Sequence, residues 1–407
     1  MQKYRERWRE NFTQYRKGMV PKQISKDTKI YLQQMGLWEE ESAWTGQVMR
    51  DLALARDKDG QPVLAFEQVM FAVRTFASDR LVSLMNEYSL ALQSSDHIRD
   101  AFEYAVQYRQ VDLLEQLVKW GEDRDSLKEW ALVYRLLLNV LNERITHEET
   151  IDQARDLVGH VTSPLLKVRL EALEVYAHLE LGYHAKTAYL GERVLKQLEK
   201  VKDGFSKRVA ESRAGFQIAY DLLYSQGKPA EAEKHVIQSV INGATPETML
   251  AFCYHLLSYA TLLRPVSPES TMLAVDPLSM QYIQRALFYA EETGLKAYSE
   301  RLQAEDLPFI WNMNGERFDI EGVEPREQIH QYIVRGDCEK ALQLIEELEG
   351  EGLSSPFLVF YKGKAMKSAS LLAEAMRRFA QEEWMNMLPL VEQEVKKLDQ
   401  SQFKGVI

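Results

Sequence analysis

The chain has 407 residues, a length at which proteins usually divide into two or more structural units. Hydrophobic residues make up 45% and charged residues 27%, a balance that is typical of folded chains and excludes wholesale disorder. No stretch approaches the roughly 20 apolar residues of a membrane span. The two cysteines are too few for a disulfide framework or a four-ligand zinc site, so we expect a cytoplasmic protein without a structural metal.

The formal net charge of -11 is unevenly distributed along the chain. Residues 1–31 carry nine basic and three acidic side chains, so this segment has a charge of +6 and the remainder a charge of -17. A basic arm on an acidic body is the asymmetry expected when one end of a protein meets an anion such as a DNA backbone. The alternative is a solvated helix whose arginine and lysine stems shield apolar neighbours.

Apolar residues at three- and four-residue spacing predict helix almost throughout, as at Leu113, Leu114, Leu117 and Val118. The one long irregular stretch, residues 264–279, contains three prolines and exceeds the usual connection length in helical arrays. We therefore expect a mobile or functional loop there.

Three segments share the internal spacing of a tetratricopeptide-like repeat, in which a small turn residue is followed by a small helix-crossing residue and a larger apolar one. They are Gly227, Ala232 and Val236; Gly336, Ala341 and Ile345; and, 34 residues after the second, Ser370, Ala375 and Phe379. Helix pairs of this kind stack because no pair buries its apolar face alone. The spacing predicts an all-α protein, a right-handed α-solenoid of tetratricopeptide-like hairpins whose concave groove is lined by the first helix of each pair.

The sequence contains no nucleotide-binding, nucleophile-elbow or zinc-protease motif, and its eight histidines include no pair at i,i+4 spacing. Neither Cys253 nor Cys338 has a sequence-local activating partner, and a small buried cysteine is the simpler interpretation. We therefore expect a protein that binds rather than catalyses, with no cofactor and no metal site.

Residues 25–50 can be read as a helix–turn–helix, with a supporting helix at residues 28–35, a turn at Gly36 and a recognition helix at residues 39–50. The inward-facing side chains would be Leu32, Met35, Leu37, Trp44 and Val48. A helical capping bundle is the alternative, because three glutamates at 39–41 would face phosphates and Leu32 is large for a close helix crossing. The candidate DNA-contacting side chains are Arg5, Arg9, Lys26, Lys29, Gln47 and Arg50.

Nine successive segments between residues 62 and 398 resemble the arbitrium peptide receptors of temperate phages, the AimR type within the wider Rap/PlcR/Rgg group. The segments are LVSLMNEYSLAL (81–92), AFEYAVQYRQVDLLEQL (101–117), EWALVYRLLLN (129–139), ERITHEETIDQAR (143–155), GKPAEAEKHVIQSVIN (227–242), DLPFIWNMNGERF (306–318), RGDCEKALQLIEEL (335–348), FYKGKAM (360–366) and MLPLVEQEVKKL (387–398).

This resemblance implies a homodimeric transcriptional regulator whose N-terminal helix–turn–helix binds promoter DNA and whose tetratricopeptide-like body binds a short signalling peptide. Peptide binding would release the DNA and bias a phage lysis–lysogeny decision. Two alternatives stay open: a Rap-like protein whose N-terminal bundle binds a response regulator, and a repeat scaffold with no small ligand.

The resemblance also implies asparagine and arginine side chains in the groove, yet residues 216–224 and 252–260 contain no asparagine. At the positions aligned with the family's groove residues, this chain has Gln217, Asp221, Tyr224, His255 and Tyr259. Further along the chain, the side chains expected to face the groove are Arg326, His330 and Lys364. We expect these to contact the peptide, with Arg326 or Lys364 as the partner of its terminal carboxylate. The alternative for each residue is that its side chain packs between repeats or lies on a solvent-exposed helix face.

A heptad-like apolar seam near the C-terminus predicts dimerisation through Leu388, Val391, Val395 and Leu398. The seam requires a helix that begins near Met387 or Leu388, because Pro389 is tolerated only in a first turn. The alternative is a terminal helix that caps the last repeat. We therefore expect an N-terminal domain at residues 1–60, a sensing solenoid at 61–385 and a C-terminal helix at 386–407.

Overall fold

The computed structural model describes residues 24–265 and 277–404. Apart from isolated β-bridges, the regular structure of these residues is helical, so the predicted all-α class is confirmed. The described residues fall into two compact units. The first runs to Ala214 and includes Asn242–Pro246, and the second comprises Gly215–Ile241 and the residues from Glu247 onward.

The first unit is a succession of helices, most of which pack on the next helix in the chain. They are α1 (Lys26–Gln34), α2 (Gly46–Leu54), α3 (Phe66–Phe76), α4 (Leu81–Ala91), α5 (Ser95–Gln107), α6 (Val111–Glu122), α7 (Lys128–Leu141), α8 (His147–Val158), α9 (Pro164–Glu180), α10 (His184–Leu198) and the first part of α11 (Phe205–Tyr224). Local signals place their starts: Thr146 and Glu149 form a capping box before α8, and Pro164 occupies the first turn of α9.

A buried ion cluster joins four helices of the first unit. Glu103 of α5 accepts hydrogen bonds from the Tyr134 hydroxyl at 2.5 Å and from Arg169 Nε at 2.9 Å, and its other oxygen lies 3.1 Å from Arg213 Nη1. Burial alone would raise the pKa of Glu103, but the two guanidinium groups hold it below its ordinary value. The charged carboxylate therefore fixes α5 against α7, α9 and α11.

The second unit continues with the remainder of α11 and ten further helices. They are α12 (Pro229–Ile241), α13 (Glu247–Leu262), α14 (Pro277–Glu292), α15 (Lys296–Arg301), α16 (Leu307–Met313), α17 (Pro325–Arg335), α18 (Cys338–Gly350), α19 (Pro356–Met366), α20 (Ala369–Gln381) and α21 (Leu388–Lys404). A π-helical turn, Leu302–Asp306, connects α15 to α16. The first helix of one hairpin, α17, packs on both its partner α18 and the next first helix α19, as in a helical-repeat array.

The 34-residue spacing correctly predicts the helix crossings in this array. Ala341 and Ala375 are fully buried, as are Ile345 and Phe379 one turn later. The turn residue is predicted less well: Gly336 ends α17 in the left-handed region at φ +84°, whereas its counterpart Ser370 lies inside α20. The left-handed residue of that turn is Lys367, because α20 begins earlier relative to the repeat.

The predicted recognition helix at residues 39–50 is wrong. Glu39 adopts φ +62°, a short 3₁₀ turn follows at Glu41–Ala43, and α2 begins only at Gly46 after a cap by the Thr45 hydroxyl. A left-handed residue and an extended cap interrupt the hydrogen bonding that one continuous helix would need.

The predicted inward face of this region is partly confirmed. Leu32, Leu37 and Trp44 are buried, and Trp44 Nε1 donates to the Leu37 carbonyl at 3.0 Å. Val48 is half-buried, whereas Met35 is 45% exposed because it follows the end of α1. These residues form a small helical core before α3.

Gly363 provides a test of the close crossing between α19 and α20. A Cβ at this position would lie 3.0 Å from Leu372 Cδ2 and 3.1 Å from the Leu372 backbone nitrogen. We expect Gly363→Ala to lower the free energy of unfolding by about 1–3 kcal/mol, the usual effect of overpacking, as measured by urea denaturation. Gly350→Ala is the control, since its methyl group would meet open space. Equal stability of the two variants would contradict the crossing geometry.

Candidate functional site

The side chains predicted to line the groove all belong to the second unit and come from four helices. Gln217, Asp221 and Tyr224 lie on α11, His255 and Tyr259 on α13, Arg326 and His330 on α17, and Lys364 on α19. Most of them are buried: His330 is 1% exposed and Asp221 is fully buried. Four of them, His255, Tyr259, Arg326 and His330, contact one of two carboxylates that the sequence did not single out, Asp306 and Glu327.

Asp306 ends the π-helical turn and connects the two candidates of α13. The Tyr259 hydroxyl donates to Asp306 Oδ1 at 2.8 Å, and His255 Nε2 lies 3.1 Å from the same oxygen. His255 Nδ1 is 2.7 Å from the Tyr298 hydroxyl, and Arg301 Nε lies 3.7 Å from Asp306 Oδ2. Burial alone would raise the pKa of Asp306, but these partners lower it below its ordinary value, so the group is a carboxylate at neutral pH.

Glu327 has the same organising role on α17. The Tyr361 hydroxyl donates to Glu327 Oε1 at 3.0 Å, Arg326 Nε lies 3.2 Å from that oxygen, and Asn312 Nδ2 donates to Oε2 at 3.1 Å. The Glu327 side chain is fully buried. Burial would raise its pKa, and His330, Arg326 and Asn312 together bring it below the ordinary value. A buried charge therefore links α16, α17 and α19.

Lys364 extends this network towards the C-terminal helix. Its Nζ lies 3.3 Å from His330 Nε2 and 3.8 Å from Glu394 Oε1 on α21. Burial, together with the nearby Lys364 charge, lowers the pKa of His330 to about 4, so the ring is neutral at pH 7. Its Nε2 can then accept from the Lys364 ammonium, and its Nδ1–H faces Glu327 Oε2 at 3.4 Å.

Aromatic rings run through the same helices. The ring centroids are 6.4 Å apart for Tyr224 and Tyr259, 5.6 Å for Tyr259 and Phe309, 6.2 Å for Phe309 and His330, and 4.6 Å for His330 and Tyr361. The centroid spacings fall in the range that favours attractive aromatic contacts. The run connects α11 to α19 and includes three of the candidate side chains, Tyr224, Tyr259 and His330.

Three further aromatic side chains keep substantial exposed surface beside this network. Tyr220 is 36% exposed, Phe252 37% and Trp384 39%. The Tyr224 ring centroid lies 4.7 Å from that of Tyr220 and 6.4 Å from that of Trp384. The ring centroids of Phe252 and Tyr298 are 4.6 Å apart. Exposed aromatic surface supported by a rigid buried layer is typical of a binding wall.

Four of the six candidate DNA-contacting residues lie among the described residues, on α1 and α2. Arg5 and Arg9 lie outside the described residues. Lys26 and Lys29 are exposed on α1, and Lys29 Nζ lies 4.7 Å from the Trp38 ring centroid.

On α2 the two exposed candidates already have partners. Gln47 Nε2 donates to Asp51 Oδ1 at 2.8 Å, and Arg50 Nη1 donates to Glu87 Oε2 at 2.6 Å. A DNA contact by Arg50 would require exchange of this surface ion pair, which costs little.

The C-terminal helix begins at Leu388, as the position of Pro389 predicts. Of the four candidate dimerisation residues, Val391 is fully buried within the chain, so its side chain packs in the protomer's own core. Leu388, Val395 and Leu398 are half-buried.

Within residues 24–265 and 277–404, no group of three or more histidine, cysteine, aspartate or glutamate side chains is placed to hold a metal ion. No helix in the same part of the chain is both apolar and long enough to cross a bilayer. Burial raises the pKa of the Cys253 thiol, which is therefore protonated at neutral pH.

The fold is that of a helical-repeat protein, and its second unit carries a polar and aromatic cluster of side chains. Residues 81–397 match the family model described as AimR transcriptional regulator-like. Because this match spans more than half of the chain, the protein belongs to that family, and the resemblance inferred from the sequence is confirmed. No curated protein sequence matches the chain.

Two solved structures share the fold. The one described as SeMet-phAimR superposes with a TM-score of 0.65 at 16% identity, covering 94% of this chain and 98% of that chain. The one described as phAimR-Ligand superposes with a TM-score of 0.53 at 17% identity, covering 81% of this chain and 96% of that chain. At these identities the similarity shows a common architecture.

His330 makes the stability of this network pH-dependent. A neutral buried ring with a pKa of about 4, against an ordinary value of 6.5, contributes stability that is fully present above pH 6.5 and is lost as the pH falls towards 4. We expect a loss on the order of 3 kcal/mol across that window, measured by urea unfolding at a series of pH values.

The groups that face the ring are Glu327, Lys364 and Glu394, and His330→Gln should flatten the decline while leaving them in place. His160→Gln, at an exposed histidine, is the control and should retain the wild-type profile. An identical pH profile for the wild type and His330→Gln would contradict this account.

Proposed function

We propose that this protein is a peptide-responsive transcriptional regulator. The second unit binds a short signalling peptide, and peptide binding releases the N-terminal region from promoter DNA in a phage lysis–lysogeny decision. Membership of the AimR transcriptional regulator-like family supports the regulatory role. The observation that carries the peptide-binding role is the exposed aromatic wall of Tyr220, Phe252 and Trp384 beside the buried carboxylate network.

The electrostatics of the wall favour a cationic group of the peptide near Arg326. Arg326 lies within 4 Å of three carboxylates, 3.2 Å from Glu327, 3.7 Å from Glu305 and 3.9 Å from Glu324. Glu305 and Glu324 are both 36% exposed, and Asp306 adds a further negative charge nearby. This excess of carboxylate suits an ammonium or guanidinium group of the ligand better than its terminal carboxylate, which leaves Lys364 as the better partner for the latter.

Gln217 supplies a complementary feature for a peptide main chain. Its side chain is buried, at 8% exposure, and its Oε1 has no hydrogen-bond partner among the described residues. Asp221, one turn later on α11, accepts a hydrogen bond from Gln226 Nε2 at 2.8 Å. A peptide N–H that reached Gln217 would satisfy an acceptor that burial otherwise leaves unpaired.

The remaining elements of the proposal are the DNA-binding end and the dimer. The basic segment within residues 1–60 contacts the promoter through Arg5, Arg9, Lys26, Lys29, Gln47 and Arg50. Residues 61–385 sense the peptide, and the C-terminal helix within 386–407 contributes Leu388, Val395 and Leu398 to a homodimer. The basic excess of residues 1–31 and the partly exposed apolar face of α21 support these assignments.

The peptide-binding wall is tested by selection from a synthetic library of five- to seven-residue peptides, followed by calorimetry with the tightest binder. We expect Tyr220→Ala to weaken that binding about tenfold or more, because aromatic anchors in interfaces contribute on the order of 2 kcal/mol. The control is Leu132→Ala, which removes a 42% exposed apolar side chain from the first unit. The peptide-binding role would be rejected if the wild-type protein bound no peptide from the library, or if the two variants had equal affinities for the peptide.

The DNA-binding end is tested by replacing Lys3, Arg5, Arg7 and Arg9 with glutamine. We expect weaker binding to promoter fragments selected from genomic DNA and a shallower salt dependence, since each lost phosphate contact reduces the slope of log K by about 0.9. Fluorescence anisotropy at several salt concentrations measures both.

A control variant carries glutamine at four exposed lysines of the first unit, Lys119, Lys196, Lys200 and Lys202, and removes the same charge. If both variants bound DNA equally well, this would argue against a role of the basic arm in DNA binding. Capture of a response regulator and no DNA from the same extract would favour the Rap-like alternative.

A further inference from the structure

The first unit contains an open cleft that the proposed function does not use. Its volume is about 450 Å³, and it lies between α8, α9 and α10. The lining side chains combine positive charge with an apolar surface: Arg155, Glu174, His178, Lys186, Tyr189, Leu190 and Arg193. A cleft of this size holds a small molecule rather than an extended chain.

The charges in the cleft leave a cationic excess. Arg155 is paired with Glu174, whose Oε1 accepts from Nη2 at 2.6 Å and from Nε at 3.1 Å. Arg193 Nε donates to Glu171 at 3.1 Å, which leaves the terminal nitrogens of this half-exposed guanidinium directed elsewhere. Lys186 lies 5.6 Å from the Tyr183 ring centroid and is exposed. The lining therefore has three cationic side chains, Arg155, Lys186 and Arg193, and one carboxylate, Glu174.

His178 provides an independent sign of a ligand. Its side chain is only 4% exposed, and its Nε2 lies 3.4 Å from Glu174 Oε1. Its Nδ1 is buried and has no hydrogen-bond partner among the described residues. A buried polar atom in a native protein is almost always satisfied by protein, water or a bound molecule, so a partner within the cleft would account for this one.

The apolar part of the cleft is formed by the side chains of Tyr189 and Leu190. Tyr189 is 71% exposed and lies one residue before Leu190 on α10, on the same wall as Lys186. An exposed aromatic ring beside cationic groups matches a ligand that has both an anionic and an apolar part.

We propose that this cleft is a second ligand-binding site, which takes a small molecule that joins an oxyanion, a carboxylate or a phosphate, to an aromatic or alkyl group. Lys186 and the terminal guanidinium nitrogens of Arg193 bind the oxyanion. Tyr189 and Leu190 contact the apolar group. This site belongs to the first unit and is independent of the peptide and of promoter DNA.

Calorimetry on the full chain tests the proposal with phenyl phosphate and benzoate as probes, which separate the two oxyanions. We expect at least one of them to bind, and Lys186→Gln to weaken that binding about fivefold or more. Lys196→Gln, at an exposed lysine of the same helix that does not line the cleft, should bind like the wild type.

Phenol and inorganic phosphate, each with only one half of the ligand chemistry, should bind more weakly than the better probe. Absence of binding by both probes at concentrations up to ~10 mM, or unchanged affinity in Lys186→Gln, would overturn the proposal. If phenol bound as tightly as the better probe, the proposed role of the oxyanion would be overturned.

Discussion

Two buried carboxylates impose the main constraint on the second unit. Asp306 and Glu327 are ionised although burial opposes their charge, because hydroxyl, imidazole, amide and guanidinium groups surround them. Such a charge is tolerated only while its partners stay in place, and the loss of one partner leaves an uncompensated ion. These partners therefore fix the positions of four helices relative to one another, namely α13, α16, α17 and α19.

This constraint determines which side chains of the candidate peptide site are buried and which are accessible. The predicted residues His255, Tyr259 and His330 are parts of the network that supports the exposed aromatic side chains. The accessible surface comes from the aromatic residues beside it and from Arg326, whose guanidinium lies 4.6 Å from the Phe357 ring centroid. A peptide that binds this wall would meet a rigid surface with an excess of negative charge, which provides specificity at a small cost in ordering.

Much of the fold was predictable from local spacing. The 34-residue spacing identified Ala341 and Ala375 as crossing residues because only small side chains allow two helix axes to approach closely, and both are buried. Pro389 predicted the start of the last helix because proline fits only a first turn. The recognition helix was mispredicted because a left-handed Glu39 is rare and leaves no mark in the apolar pattern.

The centre of the candidate site was not predictable, since it depends on contacts between distant segments. Tyr259 and Asp306 are separated by 47 residues, and Glu327 and Tyr361 by 34. A lone glutamate in an amphipathic helix looks like a solvated side chain, so Glu327 and Asp306 carried no signal beyond their residue type. Asn312, which donates to Glu327, shows that an asparagine does occur in the network, but outside the helix positions that the family resemblance pointed to.

Hydrogen exchange with and without the tightest-binding library peptide tests the central claim most directly. Backbone amides of α11, α13, α17 and α19 should gain protection, because the peptide contacts the wall that these helices form. Protection confined to helices of the first unit, or no change on addition of a saturating peptide, would contradict the assignment of peptide sensing to the Asp306 and Glu327 network.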